Sequence, residues 1–196
     1  MLLSWQAVLL APKKKRTMAS PISPIVARNG QQINVRFLTP TDGELLVDLV
    51  QRLSPNTRYL RFLVAIEEVP VEAATRKLPA FLAVDGVDSV ALMASVEENG
   101  IETAIGVARF NRSSGSDAAE VAVVMRDDWQ RQGIGQVLMK QLAEVARQLG
   151  IKRFCAVVLA TNRGAHSLIK GLGYPYQSHV SHGEDEIVIY LEEHPE

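Results

Sequence analysis

The sequence predicts an α/β (α+β) fold, in which helices flank a mixed and mainly antiparallel central sheet. Two observations carry this prediction. Two strand-like apolar runs are joined through Asn99-Gly100, a pair typical of tight hairpins, so these strands are antiparallel neighbours. Further along, residues 121–159 read as a strand, an amphipathic helix and a second strand, and such a crossover unit makes its two strands parallel.

Length and composition indicate one globular domain behind a tail. The chain has 196 residues, of which 47% are apolar and 22% are charged, and these values are typical of a domain with a sizeable core. We divide it into a flexible amino-terminal tail, residues 1–30, and a folded domain, residues 31–196. A net charge of −1 gives no overall field that attracts nucleic acid or an anionic membrane, so we expect neither as a partner.

The amino-terminal segment and the single cysteine bear on the compartment. Residues 1–11 are mostly apolar, but the positive charges at residues 13–16 follow this run, whereas a secretory signal carries them before it. No stretch reaches the roughly 20 apolar residues that span a bilayer. Cys155 has no cysteine partner and lies in an apolar run, which favours an inert thiol in the reducing cytoplasm.

The domain begins with a strand and a helix. Apolar residues alternate over residues 33–38 and predict the strand. Thr41, with Glu44 three positions later, forms the capping-box pattern ahead of an apolar helical period. Ser54 and Pro55 repeat the start signal, a cap followed by proline at the first helical position, and therefore predict a second helix.

A third helix and the hairpin come next. The helix is short and is predicted at residues 71–78. The hairpin strands are predicted at residues 90–96 and 101–110, on either side of Asn99-Gly100.

The central strand opens the crossover unit. Residues 121–125 are almost all apolar, which indicates a strand that is buried on both faces. Apolar positions between Ile134 and Leu149 then recur with a helical period, and Gly150 ends that helix. Another apolar strand at residues 154–159 completes the unit.

The carboxy-terminal part adds a helix and a closing strand. The helix is predicted from Asn162 to the residue before Gly173, and the strand at residues 187–191. Between them, His179 and His182 stand near acidic residues. We expect a solvated loop there rather than a metal site, because the spacing matches no recognised set of ligands.

The glycine loop between the central strand and its helix carries the most functional information. Its glycines let a ligand approach the backbone, while the unpaired amides and the positive end of the helix dipole favour a phosphate group. A dinucleotide fold would need a third glycine, which residues 136–140 lack, and a P-loop would need Gly-Lys followed by serine or threonine. Both nucleotide alternatives are therefore disfavoured.

The glycine loop contains the sequence Gln130-Arg131-Gln132-Gly133-Ile134-Gly135, directly after the central strand and its turn. With it the chain resembles the GNAT acetyltransferase superfamily, whose cofactor signature is Gln/Arg-x-x-Gly-x-Gly/Ala after a central strand. Gln130, Gly133 and Gly135 match that signature, and the resemblance extends over residues 33–191. Residues 53–62 are similar to a segment of bacterial protein lysine acetyltransferases of the Pat type. The basic and aromatic side chains of that segment would line the acceptor entrance or pack as an ordinary helix.

The resemblance implies a GNAT fold in which two central strands splay apart and admit the pantetheine arm of acetyl-CoA. Backbone groups of the central strand would hold that arm, amides of the loop would hold the pyrophosphate, and Asn162 would contact the arm from the other side. The implied cofactor-binding residues are Val123, Val124, Met125, Gln130, Arg131, Gln132, Gly133, Ile134, Gly135, Gln136 and Asn162.

The resemblance also implies a general base. Glu120, at the start of the central strand, is similar to the glutamate that deprotonates the amine in lysine-acetylating members. We expect apolar neighbours such as Val121 and Val123 to surround its carboxyl group. The family often places a tyrosine as general acid where this chain has Ile169, and Tyr174 is not expected to replace it.

The predicted activity is therefore N-acetylation of a primary amine by acetyl-CoA, without a metal, in the cytoplasm. A protein lysine is the leading acceptor. Two alternatives stay open at this point: a small-molecule amine as acceptor, and a non-catalytic module that binds and reports acyl-CoA. The sequence leaves the choice between a monomer and a homodimer open.

Overall fold

The computed structural model describes residues 22–63, 67 and 69–192, with only the backbone of Lys77. The predicted tail lies mostly outside this range. The strands of the described residues are β1 Ile25–Val26, β2 Gln32–Phe37, β3 Ser89–Glu98, β4 Ile101–Asn111, β5 Ala118–Met125, β6 Arg153–Leu159, β7 Tyr176–Ser181 and β8 Glu184–Tyr190. The helices are α1 Gly43–Arg52, α2 Pro55–Phe62, α3 Val71–Leu82, α4 Ile134–Gln148 and α5 Arg163–Leu172, with a 3₁₀ turn at Asp127–Trp129.

One mixed sheet organises the fold, with the strand order β1-β2-β3-β4-β5-β6-β8-β7. The pair β5 and β6 is parallel, and the other neighbouring pairs are antiparallel. This arrangement confirms the predicted mixed, mainly antiparallel sheet. The turn at Asn99-Gly100 has φ angles of 53° and 79°, the left-handed geometry that a two-residue hairpin of type I′ requires.

Helices cover both faces of the sheet. On one face, α4 and α5 bury residues such as Leu138, Leu142 and Ile169 against the larger of two apolar clusters. On the other face, α1 contributes Leu46 and Leu49 to a smaller cluster, against which α3 also packs. The sheet is therefore the middle of three layers, and β5 presents one set of side chains to each helical layer.

Two helix starts test the capping predictions. Ser54 caps α2 as predicted, because its side chain accepts a hydrogen bond from the Thr57 amide at 3.1 Å, and Pro55 occupies the first helical position. Thr41 as the cap of α1 is wrong: the residue before the helix is Asp42. Its buried carboxylate accepts hydrogen bonds from Arg36 and from the Thr39 amide, so it fixes the preceding loop instead of the helix amides.

The predicted loop around His179 and His182 is also wrong, since this segment forms β7, a tight turn and the start of β8. Strand β7 lies at the edge of the sheet and is exposed along nearly its whole length, so its sequence shows no apolar alternation. The turn consists of His182 and Gly183, with φ angles of 52° and 84°.

Strand β5 is central, as predicted, but its burial on both faces is wrong beyond Val121. Residues 122–125 are only half-buried, although they are apolar. The reason lies in the next strand, whose pairing with β5 ends at Glu120. The apolar run therefore marks a strand that is partly open along one edge.

The described fold begins before residue 31. Ile25 in β1 and Ala27 are each 3% exposed, and β1 pairs with β2. Residues 22–30 thus belong to the packed domain and bring Arg28 to the glycine loop, where its amide donates to the Gln132 carbonyl at 3.3 Å.

Candidate active site

Strands β5 and β6 part after three paired positions. Their register joins Ala118 to Arg153, Ala119 to Phe154 and Glu120 to Cys155, after which β6 continues along β8 while β5 continues along β4. The sheet thus opens between its two parallel strands, at the place where the sequence predicts a splay.

The direction of the β5 backbone follows from one hydrogen bond. The Arg126 amide donates to the Ile105 carbonyl of β4 at 2.8 Å. Because backbone groups alternate between the two edges of an antiparallel strand, Val124 faces β4, while Val123 and Met125 face the opening. The backbone of Val124 is therefore directed away from the opening, and its side chain lines a cavity on the α1–α3 face.

The glycine loop forms the start of α4 at the wide end of the opening. Gly133 is the residue before the helix and has a φ angle of 83°, a backbone conformation that residues other than glycine adopt only with strain. Arg131 has a φ angle of 60° in the same loop. The first-turn amides of Ile134, Gly135 and Gln136 stand at the positive end of a 15-residue helix, a position suited to an anion.

Side chains of the loop hold its shape. The Gln130 amide group donates to the Met125 carbonyl at 3.1 Å and to the Thr57 hydroxyl at 3.2 Å. Ile134 is fully buried, and Gln136 donates to the Gly171 carbonyl of α5. These three side chains face the protein, so the loop offers a ligand mainly its backbone.

Arg28 is a residue at this loop that sequence reasoning missed. Its guanidinium donates to the Arg131 carbonyl at 3.3 Å and lies 4.0 Å from the place of a Cβ on Gly133. An exposed arginine beside a helix start adds positive charge to a candidate phosphate site. No periodicity or motif in residues 22–30 signals this contact.

Asn162 lies on the far side of the opening, at the start of α5. Its side-chain oxygen accepts a hydrogen bond from the Ala165 amide at 3.0 Å and caps the helix. The residue is half-buried, and its position beyond the end of β6 places it across the opening from β5.

Glu120 stands at the point where the strands part and is exposed. It lines a small cavity of about 200 Å³ together with Arg61 and Arg109. The predicted apolar surroundings are wrong, because side chains alternate along a strand and put Val121 and Val123 on the opposite face of β5. The surroundings of Glu120 are cationic instead.

The two arginines come from elements that are far apart in sequence. Arg109 lies on β4, opposite Ala122 of β5, and Arg61 lies on α2. Burial lowers the pKa of Arg109, and burial and the charge of Arg109 lower the pKa of Arg61, while Glu120 opposes both shifts. The segment of residues 53–62 thus contributes Arg61 to the cavity, whereas Arg109 gave no signal in the sequence.

A carboxylate joins α2 to the glycine loop. Asp127 accepts hydrogen bonds from the Ser54 amide at 2.8 Å and from the Ser54 and Thr57 hydroxyls at 2.7 Å. Partial burial would raise the pKa of Asp127, but these hydrogen bonds outweigh it and hold the pKa below its usual value. The start of α2 and the loop are therefore fixed relative to each other.

Among the described residues, no three histidine, cysteine, aspartate or glutamate side chains come together as metal ligands would. The same part of the chain contains no helix that combines the length and the apolar character needed to cross a bilayer.

Parted parallel strands, with a helix that starts at a glycine loop beside them, are the acetyltransferase architecture that the sequence predicts. The model of the Acetyltransferase (GNAT) family matches residues 57–174. The chain belongs to the GNAT acetyltransferase family.

Two named relatives support this assignment. Acetyltransferase PA5475 of Pseudomonas aeruginosa is 34% identical over 146 residues, which are 74% of this chain and 76% of that protein. Acetyltransferase Pat of Mycolicibacterium smegmatis is 32% identical over 168 residues, which are 85% of this chain and 48% of that protein. The chain thus spans about half the length of the Pat relative.

Solved structures agree. The GNAT domain of S. lividans PAT superposes with a TM-score of 0.74 at 27% identity, over 86% of this chain and 96% of that chain. The putative acetyltransferase yncA from Salmonella typhimurium, solved with its cofactor acetyl-CoA, gives a TM-score of 0.59 at 22% identity, over 83% and 95% of the two chains. The second likeness supports the fold alone.

Proposed function

We propose that the protein transfers the acetyl group of acetyl-CoA to a primary amine, with Glu120 as the general base. One observation carries the proposal: three features meet along β5. They are an open backbone edge, a helix start suited to phosphate and an exposed carboxylate where the strands part. Together they match the pantetheine arm, the pyrophosphate and the reacting thioester of an acyl-CoA.

The described residues fit acetyl-CoA. The backbone amides of residues 131–136, in the glycine loop and the first turn of α4, would hold the pyrophosphate. Arg28 would add a positive charge there. Val123 and Met125 would pair with the pantetheine arm as a neighbouring strand does, and Asn162 would face the arm from α5. Val124 would contribute only its side chain, and Gln130 would keep the loop in shape.

The chemistry requires a proton acceptor. A lysine-type amine has a pKa near 10.4 and is therefore protonated around neutral pH. In the proposed reaction Glu120 takes this proton, directly or through a water, while the amine nitrogen attacks the thioester carbonyl. The carbon–sulfur bond then breaks and coenzyme A leaves as a thiolate. The second proton of the attacking nitrogen passes to that thiolate or to solvent water, which leaves the neutral amide.

The leaving thiolate needs no protein acid. Ile169 occupies the position where related enzymes often have a tyrosine, and it is 6% exposed and packed in the core. Because a simple thiol has a pKa of about 8.5, a thiolate is a tolerable leaving group near neutral pH. The proposed rate enhancement therefore rests on positioning and on Glu120.

A protein lysine is the acceptor that we favour. Support comes from the likeness of residues 53–62 to Pat-type enzymes and from the relatives named Pat. These residues form α2, which borders the cavities on the α1–α3 face. A small-molecule amine is the second candidate, because one of these cavities has the volume of a small-ligand site.

Release of coenzyme A from acetyl-CoA tests the proposal, with a panel of lysine-bearing proteins and small amines as acceptors. We expect Glu120→Gln to lower kcat by about 10²- to 10⁴-fold with little change in coenzyme A affinity. Glu97→Gln, at an exposed position of β3, is the matched control and should keep the wild-type rate.

The outcomes separate the candidate functions. A Glu120→Gln variant with the wild-type rate would show that Glu120 is not the general base. Coenzyme A binding without release for any acceptor would favour a non-catalytic acyl-CoA sensor. A protein that binds no coenzyme A would contradict the proposal as a whole.

A further inference from the structure

A second, larger cavity lies on the α1–α3 face of the sheet. Its volume is about 610 Å³, within the range of about 300–1,000 Å³ that is typical of small-molecule sites. The described lining is almost entirely apolar and includes Leu46, Leu49, Leu78, Phe81, Val107 and Val124. The exceptions are Arg61 and Arg109, which also line the small cavity with Glu120.

Arg109 makes no hydrogen bond to a carboxylate within the described residues, although the charge of Glu120 acts on it across the small cavity. It is 9% exposed, and its guanidinium donates to the neutral Phe81 carbonyl at 3.3 Å and to the Asn111 side-chain oxygen at 3.1 Å. Its Nε is buried without a hydrogen bond among those residues. A buried cation with an unused donor is costly unless an anion pairs with it.

Arg61 brings a second positive charge to the same end of the cavity. Its guanidinium lies 5.3 Å from the centre of the Phe62 ring, and the guanidinium of Arg109 lies 5.6 Å from the centre of the Phe81 ring. Two guanidinium groups therefore meet at the boundary of the two cavities, and Glu120 is the carboxylate that lines the small cavity with them. Among the described lining residues of the two cavities, one positive charge is in excess.

We infer that the larger cavity binds a small carboxylate with an apolar body. The carboxylate lies between Arg61 and Arg109, because a guanidinium binds a carboxylate with paired, charge-assisted hydrogen bonds. The apolar body fills the space among α1, α3 and the sheet. Apolar amino acids and simple alkyl or phenylalkyl carboxylates belong to this ligand class.

The inference concerns binding and does not depend on the proposed catalysis. The experiment is titration calorimetry of the full chain, without acetyl-CoA, with pentanoate, heptanoate and nonanoate and with the alcohols of equal chain length. Affinity should rise about fourfold for each added methylene group, as expected for burial in an apolar cavity. Each carboxylate should bind at least about tenfold more tightly than its alcohol.

Variants test the arginines and the apolar part of the site separately. Arg109→Gln should remove the advantage of the carboxylate over the alcohol, and Arg61→Gln gives the same test at a less buried position if Arg109→Gln fails to fold. Ala74→Phe should fill the apolar part and weaken all ligands together. Arg147→Gln, at an exposed position of α4, is the matched control and should bind as the wild type does.

Equal binding of carboxylates and alcohols would overturn the inference. So would an unchanged carboxylate preference in Arg61→Gln, or no binding by any member of the series. Once binding is established, leucine and phenylalanine, added with acetyl-CoA, show whether the ligand of the cavity is the acceptor of the acetyl group or an effector. An acetylated amino acid would show that the ligand is the acceptor, and binding without acetylation would show an effector; both results support the site.

Discussion

The opening lies along one edge of β5, whereas the larger cavity lies on the α1–α3 face of the sheet, and the two are built in different ways. The opening uses backbone groups of β5 and of the first turn of α4, two segments that follow each other in the chain. The cavity uses side chains from α1, α2, α3, β4 and β5. A backbone site tolerates many side-chain changes, whereas a side-chain site changes its ligand when a single residue changes.

In the proposed function the opening takes the donor and the larger cavity borders the acceptor, and we call them the donor side and the acceptor side. The contrast would then let one fold combine a constant donor with a variable acceptor. The donor side depends on strand geometry and on a few glycines, which leave the surrounding residues free to vary. The acceptor side depends on Arg61, Arg109 and apolar side chains that no local motif fixes. Variants that alter one side without the other measure how independent the two sides are.

The largest expected effect concerns the backbone of the donor side. Gly133→Val forces a β-branched side chain into a left-handed conformation at a φ angle of 83°, which costs about 1–3 kcal/mol. We expect coenzyme A affinity, measured by calorimetry, to fall between about ten- and a hundredfold. The carboxylate affinity of the cavity should not change.

Gly115→Val is the matched control for that variant. Gly115 has a φ angle of 82° in the turn between β4 and β5, and a Cβ there would have no neighbour within 4 Å. The control carries the same backbone strain, so its thermal stability should fall while its coenzyme A affinity stays. Equal loss of affinity in both variants would contradict a specific role for Gly133.

A smaller effect is expected where the two sides are joined. Asp127→Ala removes three hydrogen bonds between α2 and the glycine loop, and we expect the free energy of unfolding to fall by about 1–2 kcal/mol. Both coenzyme A affinity and carboxylate affinity should weaken. Asp117→Ala removes an exposed ion pair with Arg153 and should leave the free energy of unfolding nearly unchanged, when both variants are compared by denaturant titration.

The third prediction concerns how stability depends on pH at the start of α1, a helix that lines the larger cavity. The hydrogen bonds from Arg36 hold the pKa of the Asp42 carboxyl below its usual value, although burial opposes this shift. Because the folded-state pKa is below the unfolded value of about 3.9, this carboxylate stabilises the fold above that pH and loses its contribution as the pH falls further.

Thermal unfolding of the wild type and Asp42→Asn between pH 6 and pH 3 checks this prediction. The wild type should be more stable by about 1 kcal/mol at pH 6. The difference should shrink below pH 4, because Asp42 is protonated there in the unfolded chain before it is protonated in the folded protein. A difference that is constant over the whole range would show that the charge of Asp42 has no role.

The smallest expected effect is that of Arg28. If its guanidinium supports the pyrophosphate, Arg28→Ala should weaken coenzyme A binding by about two- to fivefold at low salt, and added salt should reduce the difference. Arg76→Ala on α3, an exposed arginine of the acceptor side, should leave the affinity unchanged. Identical behaviour of the two variants would limit Arg28 to a structural contact.

The same contrast accounts for what the sequence predicts. The hairpin, the crossover unit and the glycine loop follow from local patterns, because the residues that define each of them are close in the chain. Strand β7 escaped prediction because an exposed edge strand has no apolar alternation. The apolar run of β5 predicted a strand correctly but overstated its burial, since only the pairing of its neighbour shows where the sheet opens.

On the acceptor side, sequence reasoning reached Arg61, as one of the basic residues that would line the acceptor entrance, but missed Arg109 for a physical reason. Arg61 and Arg109 are 48 positions apart and meet only because α2 packs on β5, the neighbour of the hairpin strand β4 that carries Arg109. Likewise, Asp42 and Thr41 are both common helix caps, and only the position of Arg36 decides that Asp42 is held by the loop.

The register of the parted strands places the single cysteine of this protein where a spectroscopic label would report on the opening. Cys155, the single cysteine of the chain, is half-buried and stands across from Glu120 on the last shared rung. A thiol-reactive dye would therefore attach at one known position, at the apex of the opening. The time course of its attachment would report how often that apex is accessible, without any engineered label site.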